Sequence, residues 1–435
     1  MPFPVSPIAP LEAARQFIDK ISTPSVILVA ISGGSDSTGL LFALRQVVQD
    51  AGRNDISLHA VTIDHALRPE AAEEAKGVAA LCASIDIPSH IRRWNDPKPT
   101  TGLSAAARLV RYALIAEVAD EIGADMIVVG HTLGDQRETI AMRSARSRRT
   151  DNLGLAGMAD AVLYDRRHWI MRPFLNSTRQ DIRDFLTSLG QGWYDDPSNE
   201  DSKYERVRAR NTASGILIDQ SINRFDLSAE AAHLIENHVS CHAGAVFTLD
   251  AGGLKSEPST LRYALSALAS VVGGRRFAMA ADSMDRVMAL ATAGEPGRVT
   301  AARVVFDRRQ HALHLVRENR GVATMPVAAG QQIVWDERFE ITNGTADDVI
   351  VRARGPLQSG EEPGFPSLVP AGVARRALET MPFIVDSKGQ AMAVEGVLLS
   401  RVMAPYDLFL PRFDLQLANA VAALIGCPAY PQAPV

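Results

Sequence analysis

A continuous apolar run that ends abruptly on two glycines constrains this 435-residue chain more than any other feature. Residues 25-SVILVAI-31 read as a β-strand, 32-SGGSDST-38 as a turn, and 39-GLLFALRQVV-48 resumes with the apolar spacing of a helix. A strand without polar alternation is buried on both faces, as in parallel sheets covered by helices. Parallel neighbours need crossover connections, so the pattern predicts an α/β architecture.

The next segments keep that alternation. A second strand, 57-SLHAVTID-64, is followed by a helical stretch over 70–86 and a short strand near 89–94. A helix over 103–123 leads into the strand 125-DMIVVGH-131. Residues 1–215 are therefore expected to form a doubly wound parallel sheet. From 216 to 325 the stretches 228–246, 260–274 and 282–294 have helical period, closed by a hairpin over 299–318, and a mainly helical domain is expected. Residues 326–435 read as a small α+β domain with strands at 332–341 and 348–354 and helices at 371–381 and 414–426.

Composition excludes several classes. Apolar runs stop far short of the roughly 18–20 residues that span a bilayer, and the N-terminus lacks a basic segment followed by a long apolar one. Three scattered cysteines, Cys82, Cys241 and Cys427, make no disulfide framework and suit a reducing cytoplasm. The formal net charge of −5 argues against a surface that coats nucleic acid throughout, but not against a local basic patch.

The loop 32-SGGSDS-37 has the chemistry of a phosphate cradle. Gly33 and Gly34 let the backbone approach a ligand without a Cβ in the way. The helix N-terminus that follows favours an anion, and Ser32, Ser35 and Ser37 add hydroxyl donors. Asp36 would repel phosphates unless Mg²⁺ bridged them. The alternative is a serine-rich helix cap. Gly-Lys occurs nowhere, which excludes a Walker A loop, and no G-x-G-x-x-G follows the strand.

The signature S-G-G-x-D-S instead resembles that of the PP-loop (N-type ATP pyrophosphatase) superfamily. Further segments in order are 63-IDHALR-68, 104-SAAARLVRY-112, 130-GHTLGDQRET-139, 153-LGLAGM-158, 171-MRPF-174, 193-WYDDPSNED-201 and 204-YERVRAR-210. Together they resemble the tRNA(Ile)-lysidine synthetase family over residues 24–212, with a weaker similarity over 369–397. The resemblance implies that ATP activates C2 of the wobble cytidine of tRNA(Ile) with a CAU anticodon. Pyrophosphate leaves, then L-lysine attacks through its ε-amine and AMP departs.

On that resemblance Ser32, Gly33, Gly34, Ser35, Asp36 and Ser37 hold pyrophosphate, with Asp36 also toward Mg²⁺. Asp64 and His65, at the end of the second strand, and His131 stand where ligands bind in open α/β sheets. Arg108 and Arg111 share a helix face, and Arg111 is the candidate for the α-phosphate. Asp135 and Glu138 are candidates for the lysine ammonium, its deprotonation, or a metal. The family more often carries two adjacent acids here, and Gly134 replaces the first, which loads more onto Asp135; alternatively Asp135 only caps the next helix.

The partner implied is a tRNA. Arg137, Arg143, Arg146, Arg148 and Arg149 face one acid, Glu138, within 137–149; Lys203, Arg206, Arg208 and Arg210 face Glu205 within 203–210. Of these, Arg143, Arg146, Arg148, Arg149, Arg206, Arg208 and Arg210 are the candidate RNA contacts, since arginine forks match phosphate and stack on unpaired bases. The rival readings are a PP-loop tRNA thiolase, disfavoured because no C-x-x-C is present, a synthetase for a small metabolite, and a non-catalytic RNA-binding protein on a degenerate fold, disfavoured by the intact 32-SGGSDS-37. His238, Cys241 and His242 stand at helical spacing that would suit a metal, without an evident fourth ligand. Both a monomer and a homodimer are compatible with the sequence.

Overall fold

The computed structural model describes residues 6–146, 153–194, 223–357, 364–386, 388–391 and 395–435. They form two compact units: Met1–Arg224 with Gln432–Val435, and Phe225–Pro431.

In the first unit the fully buried Ile27, Leu28 and Val29 lie at the centre of β1 (Ser25–Ala30). This strand pairs in parallel with β2 (Ile56–Asp64) on one side and β4 (Met126–Val129) on the other. Beyond them lie β3 (Ser89–Arg93) and β6 (His168–Met171), also parallel, and β5 (Ala161–Tyr164), antiparallel to β6. The unit's strands thus run in the order β5-β6-β4-β1-β2-β3. Chain order reverses between β1 and β4, and ligands of open α/β sheets bind at such a reversal, outside the C-terminal strand ends.

Helices complete the unit: α1 (Pro10–Ile18), α2 (Ser35–Asp50), α3 (Ala71–Ser84), α4 (Leu103–Ile122), α5 (Leu133–Arg146) and α6 (Arg179–Ser188). Leu40, Leu41, Ala43 and Leu44 of α2 are fully buried, as their helical spacing predicts. Gly39 permits a close crossing with α6: a Cβ there would stand 2.4 Å from Ile182 Cγ2.

The antiparallel pair β5–β6 departs from the purely parallel sheet expected. Its turn places Asp165 and Arg166 at φ of 49° and 58°, conformations that Asn-Gly or Asp-Gly normally announce and that Asp-Arg does not. The N-terminal α1 was likewise not anticipated.

The second unit carries more strand than its sequence period suggests. The helix Arg224–His238 ends where a helix to 246 was expected, and β7 (Val239–His242) and β8 (Val246–Asp250) follow. Ala243 and Gly244, both at positive φ, make the turn between them. With β9 (Gly297–Ala301), β10 (Val304–Arg308) and β11 (Ala312–Arg317) they form a five-stranded antiparallel sheet, order β7-β8-β11-β10-β9. The expected hairpin at 299–318 is three strands, and the region 216–325 is mixed rather than mainly helical wherever it is described.

The expected boundary at 215/216 lies outside the described residues, and that at 325/326 falls inside the second unit. One apolar cluster there centres on Val246, Val316 and Val373, another on Trp335, Ile341, Val349 and Val351, and Met381 packs against both. Among the described residues no helix is long and apolar enough to cross a membrane.

Candidate active site

The loop after β1 folds back on itself through its own hydroxyls. Ser37 Oγ accepts from the Ser32 N–H at 3.1 Å, donates to the Gly34 carbonyl at 3.2 Å, and lies 3.2 Å from Ser32 Oγ. Gly33 takes φ of 82°, a value that side-chain-bearing residues rarely adopt. The N–H groups of Ser35, Asp36 and Ser37 open α2 and have no acceptor within it. All six loop residues are therefore brought together around one helix N-terminus, at the reversal between β1 and β4.

Directly beside it, Gly130 ends β4 so closely against α2 that an added Cβ would stand 2.9 Å from Asp36 C, Asp36 O and Ser37 N. The chain then enters α5, where Thr132 precedes the helix and Asp135 reaches back. Asp135 Oδ2 accepts from the Thr132 N–H at 2.8 Å and from its hydroxyl at 3.0 Å. That is a capping contact, so the capping role weighed for Asp135 is present. Asp135 and Glu138, on adjacent turns, are both buried.

Arg179 joins these groups. It heads α6 just after Thr178, whose hydroxyl accepts from the Asp181 N–H as an N-cap. Its Nε and Nη2 donate to Asp36 Oδ2 at 3.0 and 2.8 Å. Burial works against its charge, but the Asp36 hydrogen bonds and the attraction of Asp36, Asp135 and Glu138 outweigh burial and raise its pKa. Three of the four proposed catalytic residues thus act on one guanidinium that sequence reasoning missed. A signal existed: an arginine in the first turn opposes the helix dipole, so something nearby must compensate it.

The fourth, Arg111, lies on the exposed side of α4, and its Nε donates to His65 Nε2 at 3.3 Å. Burial, then the Arg111 charge, push the His65 pKa down to about 4, so the ring is neutral at ordinary pH. Accepting at Nε2 leaves its proton on Nδ1. Asp64 Oδ1 accepts from the Ala66 N–H at 2.7 Å, and Ala66 takes φ of 50°; this turn carries the chain away from β2. Arg108 lies over the Tyr112 ring at 5.1 Å.

His131 accepts at Nδ1 from Arg172 Nε, 3.2 Å away. Arg172, part of the 171–174 segment but given no role from sequence, is buried and links β6 to the end of β4. Gln136 clamps the segment after α5: its Nε2 donates to the Met158 carbonyl at 3.0 Å and its Oε1 accepts from the Met158 N–H at 2.6 Å. Arg143 Nη1 donates to the Gly157 carbonyl at 2.7 Å, so this candidate RNA contact also braces the backbone. The side chain of Arg146, and Arg148, Arg149, Arg206, Arg208 and Arg210 entirely, lie outside the described residues.

The metal spacing in the second unit is not realised as one helix face. His238 ends its helix and its Nδ1 lies 3.0 Å from Asp250 Oδ1, while Cys241 and His242 sit on β7, with His242 Nε2 3.1 Å from Ser240 Oγ. Among the described residues no three His, Cys, Asp or Glu side chains gather to hold a metal.

Comparison with known proteins identifies the family. The PP-loop domain model matches residues 10–214. Three relatives named tRNA(Ile)-lysidine synthase align almost end to end. That of Rhizobium meliloti is 43% identical over 99% of this chain and 98% of its own. That of Mesorhizobium japonicum is 38% identical over 94% of each, and that of Brucella canis 35% identical over 92% of this chain and 94% of its own. Identity on this scale extends through both units, well beyond the phosphate loop, and the chain belongs to the tRNA(Ile)-lysidine synthase family.

Proposed function

We propose that this chain uses ATP to join L-lysine to C2 of the wobble cytidine in an isoleucine tRNA with a CAU anticodon. The observation that carries the reading is the Asp36–Arg179 pair beside the helix N-terminus of the glycine loop, with the buried acids Asp135 and Glu138 on α5 also favouring the Arg179 charge. An ammonium substrate and a polyphosphate need opposite charges close together, and this site offers both.

In the first step the cytidine C2 oxygen bonds to the α-phosphorus and pyrophosphate leaves. Ser32, Gly33, Gly34, Ser35, Asp36 and Ser37 cradle the departing phosphates with N–H and O–H donors, and Arg111 offsets charge at the α-phosphate. Asp64, His65 and His131 line the nucleotide side. In the second step the deprotonated lysine ε-amine bonds to C2, and AMP leaves with the former C2 oxygen. Asp135 and Glu138 hold the ammonium and accept its proton.

Mg²⁺ fits as an ion carried on the phosphates rather than caged by protein. Asp36 is the one carboxylate in the loop, and one or two carboxylates plus phosphate oxygens is the usual arrangement for this ion. Asp36 would hold it, and it would supply charge neutralisation. Arg143, Arg146, Arg148, Arg149, Arg206, Arg208 and Arg210 grip RNA phosphates, the second unit positions the tRNA, and the setting is the cytoplasm.

Incubation with ATP, labelled lysine and a panel of tRNAs tests this. Label entering only isoleucine tRNA with the CAU anticodon is expected. No label, or equal label in methionine tRNA with the same anticodon, refutes it.

A further inference from the structure

Tyr194 lies in the segment 193–201 that carries part of the family resemblance and has no role assigned above, yet it is tied to the phosphate loop twice. Its backbone N–H donates to the Gly33 carbonyl at 2.9 Å. Its ring lies against two glycines: a Cβ on Gly33 would stand 2.7 Å from Tyr194 Cδ2, and one on Gly77 would stand 2.1 Å from the Tyr194 hydroxyl oxygen. Gly77 lies inside α3 without a positive φ, so the backbone does not call for glycine there. Glycine weakens a helix interior. All three of the atoms nearest to a Cβ at that position belong to Tyr194. The helix gives up a methyl group to seat this ring.

The seat has a stereochemical consequence. The Gly33–Gly34 peptide is trans, so the Gly33 carbonyl and the Gly34 N–H point in opposite directions. Holding the carbonyl from one side aims the N–H to the other. That N–H makes only a long 3.4 Å contact with Ser32 Oγ, which leaves it able to donate to an anion.

We propose that Tyr194 is a positioning residue for the ATP site: its ring, seated against Gly33 and Gly77, keeps its own N–H on the Gly33 carbonyl and so aims the Gly34 N–H at a phosphate oxygen. This rests on reading residues 32–37 as the ATP loop. Because the backbone makes the bond and the side chain only secures it, the ring's contact with Gly33 matters most, and the hydroxyl contributes only its bulk at Gly77.

Steady-state lysidine formation at varied ATP tests the assignment. Tyr194→Ala should raise KM for ATP about fivefold, with kcat within about twofold, as expected for a lost binding contact of hydrogen-bond size. Tyr194→Phe should retain the wild-type KM. Gly77→Ala, which touches no ligand, should raise KM by a similar factor even though alanine is the better helix former. The double variant should be no worse than Tyr194→Ala alone, since both act through one contact. Unchanged KM in Tyr194→Ala and Gly77→Ala, additive effects, or Phe behaving like Ala overturns the proposal. With an active wild type such results remove only this role of Tyr194. A wild type with no ATP-dependent product removes the ATP reading itself.

Discussion

Gly130→Ala is a demanding test of how the proposed phosphate site is built. The new methyl would stand 2.9 Å from three backbone atoms, Asp36 C, Asp36 O and Ser37 N, where ordinary contact begins at 3.4 Å. Relief requires about half an ångström of separation between the end of β4 and the first turn of α2. Neither partner is a flexible side chain, so the cost should resemble overpacking, about 1–3 kcal/mol. For a domain of this size that lowers Tm by roughly 2–12 °C. The same displacement moves the N–H groups proposed to face phosphate. Since a 1 Å misplacement can cost about 100-fold in rate, half of that predicts about a tenfold loss in kcat/KM for ATP. Thermal unfolding and ATP-dependent product formation measure both. Gly192→Ala is the control, because nothing lies within 4 Å of a Cβ there, and it should stay within about 0.5 kcal/mol. A Gly130→Ala protein with wild-type Tm and wild-type KM for ATP would falsify the close-approach argument.

Arg179→Ala removes a two-point hydrogen bond to a carboxylate; at about 1.5–3 kcal/mol, activity should fall roughly 10- to 150-fold, and Arg179→Lys should restore only part of it. Asp135→Asn keeps an acceptor for Thr132, so Tm should hold within about 1 °C while lysidine formation drops at least about 100-fold; unaltered activity would leave Asp135 only as a cap. His65 has a native pKa lowered to about 4 from 6.5, so between those values the unfolded chain binds the proton and the native one does not. Stability should therefore fall as pH drops from about 6.5 toward 4, by at most about 1.4 kcal/mol per unit before solvent screening. The slope should be shallower in His65→Gln, and identical Tm-versus-pH curves for the two proteins contradict this.

Much of the first unit was legible in the sequence because its signals are local. The run 25–31 could only be a doubly buried strand, and the glycines after it could only be a tight turn, so the loop and its helix were found together. Arg179 was not legible, because its meaning depends on Asp36, 143 residues earlier in the chain. Turns escaped notice where non-glycine residues take positive φ, at Asp165 and Arg166 and again at Asp336 and Glu337, which join two strands, Gln332–Trp335 and Phe339–Asn343. Such turns are held by their surroundings: buried Asp336 ties Arg317 and Arg338. A helical period likewise misled at 239–246, where a few apolar residues fit either a helix or a short strand until Gly244 decides.

The crossing of α2 and α6 at Gly39 sets the tolerance of this chemistry. Arg179 is a long side chain with several free torsions, and such a group seldom holds a position by itself. Here its helix is referenced to α2 by contact between Ile182 and a bare Cα, one turn from Asp36 on one helix and one turn from Arg179 on the other. The two helices share a fixed gauge, and its unit is a methyl group. Any residue larger than glycine at 39 would shift the guanidinium and the carboxylate apart as rigid bodies, without touching either. Errors at this site would thus be inherited from the scaffold, and variants at Gly39 and Ile182 should drift together.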